Sequence, residues 1–249
     1  MKNIYIITTE DPLFSINIIR AVHKNFNKEL IGIGFSGGLM TFKRILFSPL
    51  IYGLINYIIY GFKVLISFFG FGKIKNYCRL NNICFDNLQS VQDGKLMKIL
   101  KGKKIDLLLL VNCSRKIHEP ELSYPKYGTI NIHFGELPTY RGLMSILHAI
   151  RKGENRNGTT IHYADENLDT GRIIDCKYVP ILKNDNLISV WKKSTELGAE
   201  MLVNFLGDHE NLYKINTKIN DISKSNYYSF PSIKQILHYR WKILLNKFR

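Results

Sequence analysis

In the stretch "NIHFGELPTYRG", Asn131 and His133 set a carboxamide and an imidazole two residues apart. Alternate side chains of a β-strand project from one face, so the pair converges on one spot while Ile132 turns into packing. Pro138 and Gly142 follow closely and shape a turn beneath the strand end. The carboxyl ends of strands in an open α/β sheet line the crevice where ligands bind. A hydrogen-bonding amide and a titratable ring placed there can act on one ligand atom together. Taken alone, the pair reads equally well as a histidine satisfied at a strand end.

The elements that must position this pair are legible nearby. "KKIDLLLLVNC" is the continuous apolar run expected of a strand buried on both faces, and "YGTINIH" reads as its neighbour. "NIYIITT" is a first strand, followed by a helix over "DPLFSINIIRAVHKNF" with Asp11 and Pro12 in cap and first-turn positions. "KELIGIGF" is a second strand ended by Gly37 and Gly38, and another strand is expected near Ile83 to Phe85. Beyond the pair, "LMSILHAIRKGENRNGTTIHYADENLDTGRIID" predicts a helix, a turn with Gly158, a strand through His162 and an acidic loop closed by Asp169 and Gly171. His162 alternates with apolar neighbours and is expected to be structural or supporting. The alternation of strands and helices points to an α/β fold, a Rossmann-like open, mostly parallel twisted sheet with flanking helices. No GxGxxG or P-loop follows the first strand, so the usual dinucleotide and nucleoside-triphosphate fingerprints are missing.

With 249 residues, 45% of them apolar, the chain is long enough for a sizeable core, one domain plus an appendage. Cys78, Cys84, Cys113 and Cys176 have neither CxxC nor Cys/His ligand spacing. Reduced thiols, no metal site and a cytoplasmic location are expected. The apolar run in "MKNIYIITTEDP" is too short for a signal peptide.

A net charge of +15 asks for an anionic partner, and charge alone does not choose among nucleic acid, a phosphorylated small molecule and a membrane surface. No recognised RNA or DNA motif lies among the lysines. Two segments stand apart. The last nineteen residues carry five Lys and Arg and no acid, with Ile233, Leu237, Trp241, Leu244 and Phe248 at helical spacing on one face. This basic amphipathic helix either packs on the body or serves a surface or dimer contact. The other segment, about residues 43–75, has eighteen uncharged residues between Arg44 and Lys63. By length it could span a bilayer. The strands on either side of it belong to one sheet, however, and a single crossing would separate them. It therefore reads as core, dimer interface or peripheral contact at the inner membrane surface, with Lys43, Arg44, Lys63, Lys73 and Lys75 flanking it.

Asn131, His133 and Asp169, with "LP", "YRG", "TxH" and "DTG" between and around them, resemble the pattern of the formyltransferases that use N10-formyltetrahydrofolate. The likeness takes in the first strand, "DLLLLVNCSRKI", the stretch from Tyr127 to Asp175 and a late "YYSFPS". It implies the formyltransferase fold with a short basic C-terminal helical extension, and N10-formyltetrahydrofolate as co-substrate. An amine attacking a formyl carbon creates an oxyanion, for which Asn131 and His133 would be the donors. Asp169 would orient the imidazole and favour its cation, and would help pass a proton to the departing nitrogen. The resemblance places folate contacts on main-chain groups, at Leu109, Val111, Asn112, Cys113 and Ser114 and, in the loop Ala164 to Asp169, at Ala164, Asp165 and Leu168. Tyr140, Arg141 and Gly142 would lie toward the acceptor, although Arg141 reads also as a solvated charge.

The resemblance is nearest to sugar N-formyltransferases, which implies a nucleotide-linked, dTDP-type 4-amino-4,6-dideoxy sugar for surface polysaccharide as acceptor. Residues 1–210 would form the catalytic domain and 211–249 the extension. A long second domain is not expected, which disfavours transfer to tRNA, nor is a regulatory domain ahead of Met1 like that of folate hydrolases of similar core. Methionyl-tRNA, glycinamide ribonucleotide and a lipid-linked amino sugar remain as other acceptors. A membrane-surface binding protein on an inert core and a basic nucleic-acid module are readings from other classes, and a homodimer stays open.

Overall fold

The computed structural model describes residues 2–10, 15–37, 42–53, 57–59, 73–88, 94–113, 115–208 and 216–248, without the side chains of 42–46 and 246–248. The first half runs β1 (Ile4–Thr8), α1 (Ser15–Asn25), β2 (Leu30–Ser36), α2 (Phe42–Tyr52), α3 (Lys73–Leu80), β3 (Phe85–Leu88), α4 (Lys95–Gly102), β4 (Leu107–Val111) and β5 (Thr129–His133). The second runs β6 (Tyr140–Gly142), α5 (Ser145–Lys152), β7 (Arg156–Tyr163), β8 (Ile173–Pro180), α6 (Leu187–Gly207), β9 (Asn226–Tyr228) and α7 (Ile233–Phe248). Seven strands form one sheet in the order β3-β2-β1-β4-β5-β7-β8. The pairings from β3 through β5 are parallel, whereas β7 and β8 add antiparallel.

Strand periodicity explains the two layers. Ile4, Ile6, Leu107, Leu109 and Val111 face one side, where they bury against Ile16, Ile19 and Val22 of α1 and Met201 and Leu202 of α6. Tyr5, Ile7, Leu108 and Leu110 face the other and bury against Leu96 and Leu100 of α4. Because β1 and β4 are covered on both faces, they read as unbroken apolar runs. A third cluster joins α2, α5, α6 and α7 through Ile51, Leu147, Val190, Ile236 and Tyr239.

Three expectations change. The third strand along the chain starts at Phe85, not Ile83, and pairs with β2 from Ile33 to Ser36. The turn after α5 falls at Gly153, whose φ of 81° closes the helix, while Gly158 lies inside β7. There the missing side chain admits the Glu136 backbone, whose Cα would sit 2.6 Å from a Cβ. Helix α7 does pack on the body, but through Ile236 and Tyr239, leaving the stripe of Ile233, Leu237, Trp241 and Leu244 exposed. The side chain of Phe248 lies outside the described residues, as do Asp11, Pro12, Gly38 and most of residues 45–69.

The direct pairing of β2 with β3 places the strands that flank the 43–75 segment side by side in one sheet. Among the described residues, no helix is long and apolar enough to cross a membrane.

His148 on α5 is almost fully buried and stacks on Tyr228 with ring centroids 4.3 Å apart. Burial, then the positive charges of Arg151 and Lys152, push its pKa down to about 4. The unfolded chain takes up this proton near pH 6.5 and the folded chain only near 4, so stability falls as pH drops across that window. We expect urea unfolding to lose at most about 3 kcal/mol there, and His148→Gln to flatten that slope. An unchanged slope in the variant would assign the pH dependence to other groups.

Candidate active site

Strand β5 ends between a parallel neighbour, β4, and an antiparallel one, β7. Register on the β7 side sets Asn131 opposite His162 and His133 opposite Thr160. Asn131 Nδ2 lies 3.0 Å from His162 Nε2, and His162 Nδ1 lies 2.8 Å from the Tyr163 carbonyl oxygen. The His162 ring is thus held between that carbonyl and the Asn131 amide, which fixes the carboxamide plane.

Asp169 closes the set from the loop between β7 and β8, at a φ of 56°. Its Oδ1 accepts from Asn131 Nδ2 at 3.4 Å and lies 3.6 Å from His162 Nε2. Its Oδ2 accepts from the Gly142 N–H at 2.8 Å and lies 3.5 Å from His133 Nδ1. His133 Nε2 is 2.6 Å from the Tyr140 carbonyl oxygen, so both nitrogens of that ring face acceptors. Burial alone would push the Asp169 carboxyl up. The His133 imidazole, His162 and the Gly142 N–H outweigh it and hold the group well below the usual carboxylate range.

The loop carrying Asp169 is gripped from two sides. Arg141 Nε and Nη2 donate to the Leu168 carbonyl at 3.2 and 2.9 Å, and Nη1 donates to Ser225 Oγ at 3.0 Å. Asn220 Nδ2 donates to the carbonyls of Asp169 and Gly171 at 3.0 and 3.1 Å. Asn220 was not visible as a site residue in the sequence, because it lies 51 positions from Asp169 with no motif around it.

A cavity of about 210 Å³ opens beside the set, bordered by Asn131, His133, His162 and Asp169. Of the expected folate contacts, Asn112, Cys113, Ala164, Asp165 and Leu168 line it. Leu109 and Val111 do not: they are buried in the core, and their strand is paired on both sides, which occupies it in the sheet. Leu110 reaches the cavity instead, as alternation requires. Ser114 lies outside the described residues. Burial pushes the Cys113 thiol up, so it lines the cavity as a small apolar group rather than a nucleophile. Arg115 and Lys116 also border the cavity and were not singled out beforehand.

The acceptor-side expectations need correction. The Tyr140 phenol points to Glu154 Oε1 at 2.6 Å and stacks on Tyr228, and it is its carbonyl that serves the site. Arg141 clamps the loop through the Leu168 carbonyl and Ser225, with its contacts to Leu168 exposed. Gly142 does border the cavity and supplies a donor to Asp169. A larger cleft of about 850 Å³ lies elsewhere, between residues 51–53, 184–188 and α7, and holds none of the Asn131, His133 and Asp169 set.

An open, mostly parallel sheet with an amide, an imidazole and a buried carboxylate converging at a strand's carboxyl end defines an α/β protein with one polar set on the wall of a cavity. The chain belongs to the formyl transferase family, whose pattern matches residues 75–206, just over half of the sequence. Similar curated proteins include methionyl-tRNA formyltransferases of Caldicellulosiruptor saccharolyticus, 34% identical over 147 residues, and of Ehrlichia canis, 37% identical over 142. Each match covers 57% of this chain and 46% of the relative, so the chain spans about half the length of the curated relatives it matches.

Solved structures share the fold more widely. The phosphoribosylglycinamide formyltransferase of Bacillus halodurans aligns at a TM-score of 0.62 and 23% identity, covering 86% of this chain and 100% of that one. The N-formyltransferase of Helicobacter canadensis, solved with folinic acid and dTDP-3-aminofucose, aligns at 0.62 and 16% identity, over 98% of this chain and 80% of its own.

Proposed function

We propose that this protein transfers a formyl group from N10-formyltetrahydrofolate to the amine of a nucleotide-linked amino sugar, of the dTDP-type 4-amino-4,6-dideoxy class. The observation that carries the transfer reaction is the closed set of Asn131, His133 and Asp169 on the wall of the cavity. The cavity suits the folate by its chemistry. Leu110, Ile117 and Leu122 offer an apolar wall for a flat ring, and Arg115 and Lys116 supply positive charge for an anionic tail or for acceptor phosphates. The folate supplies the formyl carbon.

Asn131 and His133 stand where an oxyanion forms when the amine nitrogen bonds to that carbon. An N–H that donates to a neutral carbonyl, as His133 Nε2 does to Tyr140, binds more strongly to developing negative charge. Asp169, ionised and held by Gly142, keeps the imidazole oriented and balances its charge. His133 gives a proton to the departing nitrogen as its bond to carbon breaks and is reprotonated by the proton that the attacking amine releases, so the Asp169 and His133 pair ends as it began. Residues 1–210 supply these groups in this reading, and 211–249 hold the Asp169 loop through Asn220.

A nucleotide-linked amino sugar as acceptor is supported by the likeness along nearly the whole chain to the Helicobacter canadensis enzyme, solved with dTDP-3-aminofucose, while the 4-amino position rests on the sequence resemblance alone. Methionyl-tRNA is the second reading, favoured by the sequence relatives. The test is release of tetrahydrofolate from N10-formyltetrahydrofolate with a dTDP-4-amino sugar, methionyl-tRNA or glycinamide ribonucleotide added in turn. Acceleration by the sugar is expected. Acceleration by methionyl-tRNA instead would move the acceptor, and no acceleration by any amine would sink the activity.

A further inference from the structure

We propose that the outward face of α7 docks this protein on a bilayer surface rich in anionic lipid. The helix carries two apolar faces. The inner one is buried through Ile236 and Tyr239, with the Tyr239 hydroxyl accepting from the Leu187 N–H at 3.0 Å. The outer one consists of Ile233, Leu237, Trp241, Leu244 and Leu245, between 39% and 57% exposed. At helical spacing these five fall within an arc of about 120°. Single exposed apolar side chains are ordinary, but a continuous stripe marks a contact.

Charge identifies the partner. Arg240 runs along one edge of the stripe and His238 and Lys242 along the other, while Lys234 falls within the arc at its N-terminal end. No Asp or Glu occurs in residues 222–249, nor in residues 30–85, which include the adjoining α2. The end of α2 meets the edge of the stripe, where a Cβ on Gly53 would lie 3.6 Å from Arg240 Nη1. An apolar centre with a tryptophan and cationic margins matches a lipid interface, which takes the stripe among acyl chains and the margins among anionic headgroups. A second copy would bring two acid-free faces of a +15 chain together, against their mutual repulsion. Nucleic acid would leave the aliphatic stripe in water.

The test is co-sedimentation of the intact chain with vesicles of phosphatidylcholine and phosphatidylglycerol, compared with phosphatidylcholine alone. Binding is expected only with the anionic lipid at low salt, with release as salt rises. Leu237→Glu with Trp241→Glu should weaken partitioning at least about tenfold while thermal melting and turnover with a soluble amine stay as in the wild type. Arg240→Gln with Lys242→Gln should lessen the preference for phosphatidylglycerol. The proposal is overturned by a wild-type chain that stays in the supernatant, or by equal binding of the Glu double variant. It is overturned too by a solution dimer that the double variant dissociates, which would assign the stripe to a second copy.

Discussion

Asn131→Ala, His133→Ala and Asp169→Asn each lower kcat for formyl transfer by at least about a hundredfold, the usual scale for a lost oxyanion donor or its orienter. The three share hydrogen bonds, so they act as a unit. A double variant is therefore little slower than the slower of its parents, whereas independent contributions would multiply. Single-turnover rates with saturating donor measure this directly, and wild-type turnover in His133→Ala would remove the mechanism. The ionised Asp169 also stabilises the fold. Because its folded pKa is depressed, that contribution is complete above about pH 4 and fades only as pH falls toward the folded value. Asp169→Asn should lose it at neutral pH, which urea titration of both proteins reads out.

Gly142→Ala costs stability and activity together. The residue sits at a φ of 88°, a region that L side chains avoid, and a Cβ there would overlap the Tyr228 carbonyl of the paired strand β9. Relieving that overlap parts β6 from β9 and moves the N–H that holds Asp169 Oδ2. Strain and lost pairing together amount to about 2–4 kcal/mol in urea unfolding. The surviving folded protein should show a drop in kcat approaching that of Asp169→Asn. A variant with the wild-type midpoint and rate would show that neither the turn nor this donor matters.

Much of the site was readable from local pattern. A two-residue spacing decides that Asn131 and His133 share a face wherever the strand packs, and a strand end before "LP" opens that face to a cavity. Asp169 stood out only as a member of a motif, since nothing in "NLDTGR" says which way a loop carboxylate points. Its direction follows from the positive φ and from the grip of Arg141 and Asn220 on neighbouring carbonyls. The misread acceptor residues have the same origin. Tyr140 and Arg141 are adjacent to the site in sequence, yet Glu154 and the Leu168 carbonyl draw their side chains elsewhere.

By itself the sequence determined the α/β class, because short apolar runs such as "LLLLV" alternating with helical patterns suit strands covered on both faces, and it determined which residues share each face. Tertiary structure alone decided what each face meets. Antiparallel register brought His162 onto Asn131, and the third cluster took Ile236 and Tyr239 of α7 while leaving Leu237 and Trp241 outside. The physical reason is that periodicity depends on backbone geometry within one element, whereas the choice of partner depends on shape, charge and hydrogen bonds supplied by residues far away in the chain.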